Sequence, residues 1–162
     1  MELLKSQANR AFKGALLSGV ALALASGVWM QAQGVSTAKP QMTVYKDAGC
    51  GCCVKWVEHL QANGFEVKTL DVPDIDQVKR TYNVPASVGS CHTGIVNGYV
   101  VEGHVPADAV SKMLREKPAI AGIAVPGMPA GSPGMEVPGG RVQPYTIMAF
   151  DKAGKTSEYQ KR

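Results

Sequence analysis

An α/β fold is the class that this 162-residue sequence predicts. Two observations support it. Short β-prone stretches alternate with segments of helical apolar spacing, and an Asn-Gly pair stands between two apolar runs. The length suits one domain with a real hydrophobic core. The 18 glycines and 10 prolines indicate many loops, but 45% hydrophobic content is typical of a folded chain.

The first half of the predicted domain has two strands, each followed by a helix. Cys53, Trp56 and Leu60 recur at the spacing of one helix face, and Asn63-Gly64 is a typical helix end. The predicted elements, in order, are a strand at Met42–Tyr45, a turn at Asp47–Gly49, a helix at Cys53–Asn63, a strand at Phe65–Leu70 and a short helix at Pro73–Tyr82.

A β-hairpin and a third helix follow. Gly94–Val96 and Tyr99–Val101 flank Asn97-Gly98, which suits a two-residue type I′ turn. Ala107–Glu116 then has apolar residues on one helical face. The resulting order, β-α-β-α-β-β-α, resembles the thioredoxin fold.

The resemblance to the thioredoxin fold extends from Met42 to Lys117. A cysteine motif stands at the first strand-to-helix turn, and Val84-Pro85 stands where that fold carries its cis-proline. The predicted architecture is therefore a single thioredoxin-like α/β domain.

The sequence changes character after Lys117. Ala119–Glu136 is rich in Gly, Pro and Ala and is predicted to be an irregular loop. Tyr145–Phe150 is predicted to be an extra, final strand, and the polar residues Lys155–Arg162 are expected to fray. The domain thus ends in a Gly/Pro/Met loop and one more strand.

The N-terminal residues resemble a secretory signal. A polar segment with Lys5, Arg10 and Lys13 precedes an apolar run, Ala15–Val28, that is short for a membrane span of roughly 20 residues. We assign residues 1–33 to a signal peptide, 34–41 to a linker and 42–162 to the domain. The predicted location is the periplasm, without stable membrane insertion after cleavage; an uncleaved anchor is the alternative.

The charge balance argues against a nucleic-acid partner. The full chain has 17 basic and 13 acidic residues, and removal of residues 1–33 leaves 14 and 12. A net charge this close to zero, without a concentrated Lys/Arg patch, does not indicate nucleic-acid binding.

Three of the four cysteines lie within four residues, at Cys50, Cys52 and Cys53. The start of a helix favours thiolates, which are both nucleophiles and metal ligands. Cys50 and Cys53 alone would make a redox-active dithiol of thioredoxin type. Cys52 adds a third thiol, which invites misdirected exchange in an oxidoreductase but is useful in a metal site.

Cys91-His92 can complete a ligand set. In a thioredoxin-like layout the segment after Pro85 runs beside the start of the first helix. The predicted metal ligands are therefore Cys50, Cys52, Cys53, Cys91 and His92, with copper as the expected metal and zinc as the alternative.

Several other residues have a simpler interpretation. Cys91 could instead be a small core residue, and His92 an ordinary loop histidine. His59 and His104 have no neighbouring ligand in the sequence, so a surface position is expected for both. Met128 and Met135, which have soft thioether sulfurs, are either auxiliary copper ligands or packing residues.

These motifs together resemble the DUF411 family, which includes periplasmic copper-resistance proteins. The matching segments are Cys50–Cys53, Cys91-His92, Val101–Pro106, Val125–Pro129 and Met135-Glu136. The resemblance implies a thioredoxin-like domain that holds copper at these cysteines, as a multinuclear thiolate cluster, with a redox role in copper resistance. It also implies copper ions and periplasmic copper-handling proteins as partners.

Three functions stay open on sequence grounds. The first is a periplasmic copper-binding protein that cycles Cu(I) and Cu(II). The second is a thiol-disulfide oxidoreductase in which Cys50 attacks and Cys53 resolves. The third is a binding module with purely structural disulfides. No hydrolase or transferase signature is found, and whether the protein is an enzyme stays open, with a copper oxidoreductase as the candidate activity.

Overall fold

A computed structural model describes residues 38–162, so the predicted signal peptide and the first half of the predicted linker lie outside the described residues. Seven strands, three α-helices and a 3₁₀ turn at Ala86–Val88 make up the domain. The strands are β1 (Gln41–Lys46), β2 (Glu66–Asp71), β3 (His92–Val96), β4 (Tyr99–Glu102), β5 (Gly122–Ala124), β6 (Thr146–Phe150) and β7 (Thr156–Lys161). The helices are α1 (Gly51–Ala62), α2 (Ile75–Thr81) and α3 (Ala107–Glu116).

All seven strands form one mixed sheet in the order β2-β1-β3-β4-β5-β6-β7. The β1–β2 and β4–β5 pairs are parallel, and the other neighbours are antiparallel. The predicted α/β class is confirmed. β1 begins at Gln41, one residue inside the predicted linker.

The sheet has a separate apolar cluster on each face because side chains alternate along every strand. Met42 and Val44 of β1 pack with Trp56 of α1 and Met113 of α3 on one face. Val100, Ala124 and Phe150, from β4, β5 and β6, pack with Val88 of the 3₁₀ turn on the other. Trp56 also donates a hydrogen bond from Nε1 to the carbonyl of Val105 at 2.8 Å. This bond ties α1 to the chain entering α3.

The predicted hairpin is confirmed. β3 and β4 pair in antiparallel register with Val96 opposite Tyr99. Asn97 and Gly98 both have positive φ, 47° and 82°, as a type I′ turn requires. The first two helices are also close to their predicted ranges, and Asp74 caps α2 by accepting a hydrogen bond from the N–H of Gln77 at 3.0 Å.

The C-terminal third differs from the prediction in two places. The loop expected at Ala119–Glu136 contains β5, which is buried between β4 and β6. Tyr145–Phe150 contributes β6 but not the last strand, because residues 156–161 form β7 at the sheet edge. The expected fraying of Lys155–Arg162 is therefore wrong: Tyr145 and Arg162 exchange two backbone hydrogen bonds.

Pro85 is the N-cap residue of the 3₁₀ turn, and Cys91 is the residue that directly precedes β3. Among residues 38–162, no helix combines the length and the apolar character needed to cross a membrane.

Candidate metal centre

A tight turn delivers the cysteine cluster to the start of α1. The side chain of Asp47 accepts the N–H of Gly49 at 2.8 Å, and its carbonyl accepts the N–H of Cys50 at 3.1 Å. Cys50 is then the N-cap residue of α1, without a side-chain cap. Cys53 lies on the buried face of the helix, one turn before Val57. The N-cap and the first turn of α1 thus bring three cysteine sulfurs close together.

The four cysteine sulfurs converge, as the sequence predicts. All of them lie within 4.8 Å of one another. Cys50 and Cys53 form a disulfide, and Cys52 Sγ lies 3.6 Å from Cys50 Sγ. Within residues 38–162, Cys52 and Cys91 are the free thiols. Only Cys53 is fully buried, whereas the other three are partly accessible.

The sheet register explains how Cys91 reaches the helix start. β3 lies directly beside β1, with His92 opposite Lys46, the last residue of β1. Cys91, one residue earlier, therefore lies next to the turn that leads into α1. Its carbonyl is 3.9 Å from Cys53 Sγ.

His104 joins the cluster, and the prediction that it lies at the surface is wrong. It is fully buried, and its Nε2 is 3.1 Å from Cys91 Sγ. His92 Nδ1 lies 3.3 Å from the same sulfur. Gly103, with φ of 71°, turns the chain after β4 so that His104 points back toward β3. The family motif Val101–Pro106 contained this histidine, which was the one sequence signal for its role.

Backbone carbonyls fix the tautomers of both rings. His92 Nε2 lies 3.0 Å from the carbonyl of Gly103, and His104 Nδ1 lies 2.8 Å from that of Pro133. A carbonyl only accepts hydrogen bonds, so each of these nitrogens carries the proton. The remaining nitrogen of each ring has its lone pair directed at Cys91. Metal-bound histidines typically have this arrangement.

Burial keeps both rings neutral. It lowers the pKa of His92 to about 3 and also lowers the pKa of His104. Burial, with the charge of nearby Cys52 as a second cause, raises the pKa of the Cys91 thiol to about 11. At neutral pH the residues Cys91, His92 and His104 are therefore a thiol and two neutral imidazoles.

Two further contacts enclose this region. The ring of Trp56 lies against that of His92, with centroids 4.2 Å apart. Gly134, with φ of 85°, passes so close to α1 that a Cβ there would lie 2.7 Å from the carbonyl oxygen of Cys52 and 2.9 Å from the N–H of Trp56. The Gly/Pro-rich loop therefore covers the start of α1.

The other sequence candidates lie around this centre. Met128 is 53% exposed and Met135 is half-buried, in the loop that covers α1. His59 is half-buried rather than at the surface, and its Nε2 accepts the N–H of Ala107 at 3.1 Å. It supports the start of α3 and is not among the residues that surround Cys91.

Comparisons with known proteins agree with the sequence motifs. Residues 88–135 match the family described as DUF411, a protein family of unknown function. Two solved structures of the copper resistance protein CopG, form 1 and form 2, are each 46% identical to this chain. Each match covers 76% of this chain and 98% of that one, with a TM-score of 0.72. No curated protein matches the sequence.

Proposed function

The chain belongs to the DUF411 family of CopG-like proteins, and on that premise we propose that it is an exported copper-binding protein that contributes to copper resistance. The proposed ligands are Cys50, Cys52, Cys53, Cys91 and His92, with His104 added to the set that the sequence suggested. Copper ions are the cargo, and zinc is the competitor that an experiment has to test.

The two histidine lone pairs directed at one cysteine sulfur are the observation that carries the proposal. Cys91 has a single S–H proton, which can serve His92 or His104 but not both. A cation at this point would accept both lone pairs and the Cys91 thiolate at once. Thiolate sulfur and imidazole nitrogen together suit Cu(I), and thiolates are the donors that select it.

The disulfide makes metal capacity dependent on redox state. Cys50 and Cys53 can act as thiolate ligands only after their bond takes up two electrons. Oxidation of two Cu(I) ions to Cu(II) would supply these electrons, and two protons from solvent would complete the dithiol. Copper redox cycling at this site is therefore chemically balanced, and we include it in the proposal.

A thioredoxin-like core and export complete the proposal. The order β2-β1-β3-β4, with β1 and β2 parallel and the hairpin antiparallel, supports the thioredoxin-like assignment, as do the cysteines at the start of α1. For residues 1–33 we propose a cleaved signal peptide and for the protein a periplasmic location. Export provides a compartment in which a Cys50–Cys53 disulfide persists.

Anaerobic copper loading tests the proposal. Protein reduced under anaerobic conditions, loaded with Cu(I) and passed over a desalting column should retain copper and show thiolate-to-copper absorption in the ultraviolet. Oxidised protein and the C91S variant should retain less. Copper below one equivalent in the reduced wild type would contradict the proposal, and preferential retention of zinc in a mixed loading would contradict the choice of metal.

The disulfide also supports a second candidate, a thiol-disulfide oxidoreductase. Cys50 is partly accessible and Cys53 is fully buried, as an attacking and a resolving cysteine would be. This function predicts disulfide-exchange activity that is lost in C50S and kept in C52S. Loss of copper retention in C52S, with no exchange activity in the wild type, would favour the metal site instead.

A further inference from the structure

A fully buried carboxylate lies behind the proposed metal ligands. Glu102, the last residue of β4, accepts three hydrogen bonds. Its Oε1 accepts one from Lys79 Nζ and one from the backbone N–H of Ser90, each at 2.6 Å. Its Oε2 accepts one from Thr93 Oγ1 at 2.7 Å. A buried charge is costly unless it is paired and hydrogen-bonded, and Glu102 meets both conditions.

Glu102 connects segments that also carry the proposed ligands. Ser90 directly precedes Cys91, in the irregular segment between the 3₁₀ turn and β3. The acceptor of its N–H is a side chain, because no strand partner reaches it. On the other side, Glu102 stands two residues before His104. The next residue, Gly103, accepts the ring N–H of His92.

We propose that Glu102 is a positioning residue for the metal site, whose carboxylate holds the Ser90–Cys91 segment against α1 through the backbone N–H of Ser90. The inference rests on the proposed function, since it concerns how the same ligands are held. Hydrogen bonds from an N–H to a carboxylate are short and strong, so they suit a segment without ladder bonds.

The charge of Glu102 has a second effect through Lys79. The Lys79 side chain is 12% exposed, and its ammonium group forms a salt bridge with this carboxylate. Stability through the ion pair and positioning through Ser90 are thus separable contributions of one side chain. A test has to distinguish them.

Two substitutions of Glu102 test the positioning role. E102V removes every acceptor, and E102Q keeps one oxygen that the N–H of Ser90 can use. In reduced metal-free protein, NMR signals of the His92 and His104 rings should shift in E102V. Its Cu(I) affinity, measured by competition with a chromophoric chelator, should fall by about 10- to 100-fold, the usual effect of losing a group that orients a ligand. The Cu(I) affinity of E102Q should fall by a smaller factor.

V96A is the matched control for lost stability. Val96 is buried at the far end of β3, about 13 Å from His92 at roughly 3.3 Å per residue, where it pairs with Met42 and Tyr99. The residues that donate hydrogen bonds to the Glu102 carboxylate are Lys79, Ser90 and Thr93. V96A should unfold at lower urea but keep the ring signals and the Cu(I) affinity. If E102V changes the stability alone, as V96A does, the positioning role is disproved.

A second pair of variants tests the donor of the hydrogen bond from the Ser90 N–H to Glu102. This pair keeps the inference testable if E102V does not fold. S90P deletes the N–H, and Gly89, with φ −59° and ψ 144°, already has the conformation that a following proline requires. S90A keeps the N–H and deletes only the hydroxyl, which donates to the carbonyl of Gly127. Equal Cu(I) affinities in S90P and S90A would overturn the inference.

The two readouts separate this inference from the proposed function. A wild-type protein that binds no Cu(I) would sink the proposed function. The ring signals in metal-free protein would still show whether Glu102 sets the geometry of Cys91, His92 and His104. Unchanged ring signals in both E102V and S90P, with normal copper binding in the wild type, would sink the positioning role alone.

Discussion

Cys91 lies between two imidazole rings whose unprotonated nitrogens both point at its sulfur. Each ring is locked in that tautomer by a carbonyl, from Gly103 in one case and Pro133 in the other. The sequence revealed Cys91-His92 through adjacency, but His104 is 13 residues from Cys91 and looked like a turn residue. Its position depends on the register of the β3–β4 hairpin and on the turn at Gly103. The spacing of residues in the sequence indicates neither the hairpin register nor this turn.

Replacement of His104 should weaken copper binding. H104A removes one proposed nitrogen ligand, so we expect Cu(I) affinity to fall by at least the ~10- to 100-fold seen when a metal ligand loses its supporting group. Chelator competition on reduced protein measures this. H59Q is the control, because a glutamine oxygen can still accept the N–H of Ala107 while His59 lies outside the ligand set. Equal losses in both variants would remove His104 from the site.

Copper binding should strengthen as the pH rises. The pKa of the Cys91 thiol is about 11, so Cu(I) must displace its proton throughout the neutral range. His92, with a pKa of about 3, is already unprotonated there and releases none. Affinity should therefore rise about tenfold per pH unit for each thiol proton displaced, between pH 6 and 8. In C91S the slope should be smaller by about one proton, and an unchanged slope would contradict Cys91 as a ligand.

At the scale of elements, the N-terminal half of the fold was predictable and the C-terminal third was not. β1, α1 and the hairpin follow the rules of alternation, helical spacing and Asn-Gly turns. β5 escapes these rules because all three of its residues are buried, so Gly122–Ala124 shows no alternation. Its glycine is required by packing, since a Cβ there would lie 2.7 Å from the ring of Phe150. β7 is polar because it lies at the sheet edge.

The loop that covers α1 should be sensitive at Gly134. G134A adds a Cβ that collides with the α1 backbone and forces a non-glycine residue to a φ of 85°. Backbone strain of this kind costs about 1–3 kcal/mol, and the collision adds to it. We expect lower stability in urea unfolding and weaker copper retention. G139A is the control, because Gly139 has φ of 86° but nothing within 4 Å of its Cβ position.

The comparison of G134A with G139A separates two effects: the collision of a Cβ with the α1 backbone, and the strain of a positive φ. Both variants place alanine in the same left-handed region, so both lose a similar amount of stability from strain. Only G134A should also change the copper absorption spectrum. Identical behaviour of the two variants would show that the loop does not influence the site.

At the scale of the whole molecule, all three histidines of the chain are held neutral by the fold. Burial is the main cause of the lowered pKa at His59, His92 and His104, which belong to α1, β3 and the turn after β4. Protonation of His59 would also cost the hydrogen bond that Nε2 accepts from Ala107. Acid therefore affects two regions of the protein. Protonation of His92 and His104 disturbs the candidate metal site, and protonation of His59 removes the hydrogen bond to Ala107 at the start of α3.

Metal-free protein should lose stability as the pH falls below about 6.5. The unfolded chain takes up protons at the ordinary histidine pKa of about 6.5, whereas the folded chain resists protonation, to about pH 3 at His92. The stabilisation is therefore complete above pH 6.5 and is lost progressively toward pH 3. Urea unfolding between pH 4 and 8 measures it. H59Q should reduce the pH dependence, and a flat profile in the wild type would contradict the burial of these rings.

The spacing of the sulfurs along the chain has a consequence for the order of folding and metal capture. Three sulfurs lie within four residues, but Cys91 is 38 positions beyond Cys53, and loop closure over such a distance is slow compared with local contact. A reduced, newly synthesised chain that meets Cu(I) before it folds would therefore bind it first through the local cysteines. The β3–β4 hairpin would then close over an ion already in place. Refolding in the presence of Cu(I) should begin with a rapid absorbance change that precedes the burial of Trp56.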